Sequence, residues 1–171
     1  MTPRQFATFL LRLPLLGLAL GLAGCASAPE FSLDGVDRAL TPPRAIETDA
    51  RDRRVFWGGT LIAAHNLQDV THLEMVAYPL DGDGWPQLDA EPLGRFIIEQ
   101  RGFLDPAKYA SGRQLTVVGR LITPLHGRIG ERDYTYPVVL PEQLHLWPVD
   151  WEQRSRPQVR FSIGIGIGIH R

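Results

Sequence analysis

The residue with the most specific chemistry is Cys25, the single cysteine of the 171-residue chain. It ends the run Leu22-Ala23-Gly24-Cys25: an apolar residue, two small residues and a thiol. This is a lipobox. Small side chains let an extended backbone enter a peptidase, and the thiol is the nucleophile that takes a diacylglyceryl group before cleavage. Ahead of it, Arg4 and Arg12 are the only charged side chains, and the apolar stretch runs from Leu13 to Gly24. That stretch is shorter than the roughly 20 residues a membrane-crossing helix needs, and it reads as the core of an export signal. Cys25 is therefore expected to be acylated, and a lone cysteine makes no intrachain disulfide. Each buried CH₂ contributes about 0.8 kcal/mol, so two acyl chains hold where one only visits. Ala26 and Ser27 follow the anchor in place of the Asp that retains many lipoproteins at the inner membrane, so the outer membrane is expected.

Other residues with chemical potential form weaker patterns. His72 and Glu74 stand two apart in an alternating segment, on one strand face. They could share a proton or hold a metal ion, or they could be solvated polar residues on a sheet. The remaining histidines, His65, His126, His145 and His170, fall at no metal-ligand spacing. Asp81-Gly82-Asp83-Gly84 suggests a calcium loop, but Pro86 and Pro92 occupy the positions where such a loop needs Gly and Glu, so a tight turn is expected. No Gly-x-Ser-x-Gly elbow and no phosphate loop is present. The sequence thus implies no catalytic residue, no metal and no cofactor. A binding surface is the better expectation: Trp57, Gly58, Gly59, His72, Glu74 and Trp85 are its candidates. The glycines would allow close backbone approach, and the indoles would offer apolar faces with polar edges. Trp57 and Tyr136 could instead fill the interior, which leaves Trp85, beside Pro86, as the expected exposed ring.

These residues must be carried by short strands. Gly 17 and Pro 14 are high counts, and long helical periodicity is absent. Aromatic and β-branched runs predict strands at 54–62, 71–78, 94–99, 114–122 and 134–140, with a short last one at 144–147. Asp105-Pro106 predicts a short helix between the third and fourth strands. The expected fold is mainly β: a small closed or partly open barrel of five to six strands, OB-fold-like. Residues 1–24 are the expected signal peptide and 25–50 a proline-containing tether. Residues 51–149 form the barrel domain, and 150–171 a polar linker and tail. In that tail Phe161, Ile163, Ile165, Ile167 and Ile169 alternate with mostly glycines. If extended they line one face, a surface for a partner or membrane contact. The net charge of −1, more negative once Arg4 and Arg12 are removed, argues against nucleic acid as a partner.

Several blocks together resemble the Slp family of outer-membrane lipoproteins, the starvation-inducible lipoprotein group. They are Trp57-Gly58-Gly59 with Ile62 and Asn66; Thr71 with Leu73-Glu74 and Tyr78-Pro79-Leu80; Gly102-Phe103-Leu104-Asp105-Pro106 with Tyr109; Leu115 to Gly119; Tyr134 to Val138; and Leu146-Trp147. The resemblance spans about Val55–Trp147 together with the lipobox. It implies a periplasm-facing β-barrel domain on the outer membrane, linked to starvation, stationary phase or acid stress, with no known catalysis. It leaves a ligand-binding role for glycan or peptide, and an envelope-maintenance role with a protein partner, both open.

Overall fold

The computed structural model describes residues 29–149. Cys25 and the 150–171 tail, with Phe161, Ile163, Ile165, Ile167 and Ile169, lie outside the described residues. The elements are α1 (Pro42–Glu47), β1 (Arg54–Asn66), β2 (Val70–Tyr78), β3 (Gly94–Arg101), β4 (Gln114–Ile129) and β5 (Arg132–Leu146). The strands close into a barrel in the order β1-β2-β3-β5-β4. All pairs are antiparallel except β3 with β5, which run parallel through Ile97–Val138 and Ile98–Val139. This is an OB-like connectivity of five strands. The segment expected as a sixth strand, 144–147, is largely the end of β5.

β2 shows how sequence becomes structure here. Its residues alternate, with Leu73, Met75 and Ala77 buried in the barrel and His72, Glu74 and Val76 half-buried outside. Trp57, Leu61, Phe96, Ile98, Leu115, Val117 and Val139 complete the interior. Each such side chain contributes about 1.5–3 kcal/mol by leaving water. β4 and β5 continue past β1 as a two-stranded arm, paired from Leu125–Tyr136 to Ile129–Arg132. Pro124 and Pro137, which discourage a regular ladder, sit in the register shift between Ile122 and Leu125.

β1 from Val55 to Gly59 and β4 from Leu115 to Gly119 are buried on both faces, because a second layer covers their outer side. Thr116 is fully buried there, yet its hydroxyl donates to the Gly84 carbonyl at 2.6 Å and accepts from Trp147 Nε1 at 2.9 Å. Phe31, Phe56, Trp85, His145 and Trp147 form the layer, with tilted or edge-on ring contacts at 4.4–6.3 Å.

The short helix lies elsewhere than expected. α1 precedes β1, with Pro42 and Pro43 in its first turn, and places Ala45 into the core between β3 and β5. Asp105-Pro106 starts only a turn: the Asp105 carbonyl accepts from Lys108 and Tyr109 N–H, and its carboxylate accepts from Ala107 N–H. The chain is then pulled back to the barrel, where Gly112 N–H donates to the Leu61 carbonyl at 2.8 Å. Leu104 and Tyr109 still cap the core at this end, while Phe103 is 73% exposed. The segment expected as a tether is also, from Glu30 on, packed chain. Gln143 brackets it through Ser32 N–H and the Glu30 carbonyl, Val36 bridges to Arg54, and Asp37 pairs with Arg53.

Candidate functional site

The candidate residues fall into three places rather than one. His72 and Glu74 share the outer face of β2, as their spacing implies, but each is partnered by β3. His72 stands directly across from Glu99, with Nε2 to Oε2 at 3.1 Å. Glu74 accepts from the Arg95 guanidinium at 2.6 Å and from the Tyr136 hydroxyl at 3.2 Å. Tyr134 closes the group by accepting the Arg95 backbone N–H at 3.1 Å and meeting the Tyr136 ring at 4.7 Å. Burial first, and then the Glu74 charge, push the Tyr136 phenol above its ordinary pKa. The network is a saturated set of cross-strand pairs that locks the β4–β5 arm onto β2 and β3. Among the described residues no three His, Cys, Asp or Glu side chains converge on one point.

Gly58 and Gly59 are approached by their own neighbours. A Cβ at Gly59 would lie 1.7 Å from the Val76 carbonyl oxygen, and one at Gly58 would lie 2.6 Å from Thr116 Oγ1. β1 coils so tightly between β2 and β4 here that no side chain fits. Trp85, expected to be exposed, is half-buried and lies edge-on to Trp147 at 4.7 Å. The turn around it forms as the sequence implies, with Asp81 Oδ1 accepting from Asp83 and Trp85 N–H.

Trp57 reaches a cavity. Its ring fills the barrel mouth against Phe96 at 5.3 Å, and its Nε1–H donates to the Leu40 carbonyl at 2.7 Å. Beside it opens a cleft of about 570 Å³ lined by Arg38, Leu40, Phe56, Tyr78, Leu80 and Asp81, among others. The chain ahead of α1 forms one wall, and the end of β2 with the loop after it forms the other. Arg38 lies over the Phe56 ring at 5.9 Å. The cleft thus offers the Arg38 cation, the Asp81 carboxylate, a phenol and an apolar floor. Sequence reasoning missed Arg38, Leu40 and Leu80, because the cleft exists only when residues 38–41 fold back onto β1. Tyr78 was legible as an aromatic at a strand end. His145 was also missed: half-buried between Phe31 and Trp147, it has its pKa lowered by burial.

The outer membrane lipoprotein Slp family matches residues 22–164, a span that includes Cys25 and the whole barrel. The chain is similar to the "Uncharacterized lipoprotein YeaY" of Escherichia coli K12, with 30% identity over 148 residues, 82% of this chain and 74% of that one. It is 28% identical to an uncharacterized protein of Haemophilus influenzae Rd, over 80% of each chain. It is 26% identical to the "Outer membrane protein Slp" of Escherichia coli K12, over 78% of this chain and 72% of that one. No solved structure matches it. The chain belongs to the Slp family of outer membrane lipoproteins.

Proposed function

We propose that this lipoprotein is a non-catalytic binding domain, anchored through an acylated Cys25, facing the periplasm and serving the envelope under starvation, stationary-phase or acid stress. The cleft beside Trp57 carries the reading. Its volume of about 570 Å³ falls within the roughly 300–1,000 Å³ of small-ligand sites. Its lining combines Arg38 and Tyr78 with the apolar Leu40 and Phe56. Such a lining suits a glycan or short peptide with an acidic group: the guanidinium takes the carboxylate and the rings take the apolar face. On the β2–β3 face, His72 meets Glu99 and Arg95 meets Glu74 in pairs that hold the strands together, an arrangement that suits a structural role for them.

The experiment is a titration of the full chain with cell-wall glycopeptide fragments and with acidic peptides, followed at the Trp57 indole N–H by NMR. Binding in the cleft predicts shifts at Trp57 and Tyr78, and weaker binding in Arg38→Ala. Shifts confined to the His72–Glu99 face would place the ligand elsewhere and overturn the reading.

A further inference from the structure

The structure leaves almost no slack between the anchor and the barrel. The chain is held from Glu30 onward: the Glu30 carbonyl accepts from Gln143 Nε2 at 3.4 Å, and Ser32 N–H donates to Gln143 Oε1 at 2.8 Å. Phe31 packs on Phe56 at 5.0 Å and on His145 at 6.3 Å. Arg54 then ties the Ser32 and Asp34 carbonyls to β1. Whatever conformation the intervening residues adopt, five Cα steps of 3.8 Å carry the chain from Cys25 to Glu30, a reach of at most about 19 Å. The barrel is longer than that leash. Phe103 follows β3 beside the far end of β1, where Asn66 Nδ2 donates to the Leu104 carbonyl. Asn66 lies ten strand residues beyond Phe56, roughly 30 Å along β1.

We infer that the domain lies against the bilayer rather than hanging from a spacer, with the Phe31–Gln143 side apposed to the lipid headgroups and the Phe103 end turned away. This rests on the acylation of Cys25 proposed above. Phe56 packs against Phe31 and also lines the cleft, so the cleft opens beside the headgroup layer. The partner surface of this side is the bilayer itself, and a ligand for the cleft must be available there.

The test uses the acylated full chain in phosphatidylethanolamine–phosphatidylglycerol vesicles doped with a lipid bearing a nickel chelate on its headgroup. Nitroxides are placed at Ser32→Cys or Phe103→Cys, each the only free thiol once Cys25 is acylated. The expected result is relaxation several-fold stronger at position 32 than at 103. Inserting twenty Gly/Ser residues between Ala28 and Pro29 should bring the two towards equality. Equal relaxation at both positions in the native-length chain, or a difference that the insertion leaves unchanged, would overturn the inference while leaving the anchor intact. A mass spectrum without acyl chains on Cys25 would overturn the inference together with the anchor.

Discussion

Phe31 and Phe56 meet with ring centroids 5.0 Å apart, and this contact joins the first of the described residues to the first barrel strand. It also borders the cleft, because Phe56 lines it and carries Arg38 over its ring at 5.9 Å. A segment whose composition suggests a spacer is therefore part of the folded body. Phe31→Ala removes the contact from a half-buried position. We expect a loss of about 1–2 kcal/mol, less than a fully buried ring would cost, measured as a shift in the urea midpoint at constant slope. An unchanged midpoint would mean that residues 29–34 do not contribute to the fold.

Gly59→Ala is expected to cost about 3 kcal/mol or more, or to prevent folding, because the added methyl has nowhere to go. The Val76 backbone oxygen blocks it, and backbone cannot rotate aside as a side chain can. Gly82→Ala is the control: nothing lies within 4 Å of a Cβ there, and the change should stay within about 0.5 kcal/mol. Similar stability for the two variants, read by thermal melts, would contradict the close approach of β1 and β2.

His145 is expected to make the fold sensitive to acid. Burial lowers its folded-state pKa below the ordinary value, so the native state favours the neutral ring. Its contribution is fully present above about pH 6.5 and is lost as pH falls through the lowered folded value. Unfolding free energy measured against pH should therefore fall more steeply on the acid side in the native chain than in His145→Phe, which keeps a ring between Phe31 and Trp147. Parallel curves for the two would remove His145 as the cause.

We propose the tail from Phe161 to Ile169 as the place for a second contact, with an envelope partner. Deleting residues 161–171 should leave the barrel folded, by circular dichroism and melting temperature, and abolish crosslinked complexes at the membrane. Complexes that persist after the deletion would contradict a docking role for the tail.

What was legible in the sequence followed from one-sided burial. β2 alternates cleanly because its outer face meets water, so its spacing sets Leu73, Met75 and Ala77 on one face and His72, Glu74 and Val76 on the other, and the structure turns the first set inward. β4 is buried on both faces from Leu115 to Gly119, and its outer cover comes from Gly84 and Trp147, far away in the chain. No local pattern announces such a cover, so Trp85 read as exposed. Thr41-Pro42 and Asp105-Pro106 both set a polar residue before proline. Thr41-Pro42 became the helix because Ala45 fits the gap between β3 and β5, whereas Asp105-Pro106 was stopped after one turn by the bond from Gly112 to Leu61. That His72 and Glu74 share a face could be read from their spacing. That each is taken by a residue of β3 depends on register, which the spacing does not contain.

The account turns on what Cys25 carries and how closely it holds the barrel. The most direct measurement is the intact mass of the N-terminal peptide from protein extracted out of membranes. The account predicts a peptide that begins at Cys25 and carries the mass of a diacylglyceryl group. A peptide that begins upstream of Cys25, or one that begins there with an unmodified thiol, would contradict it.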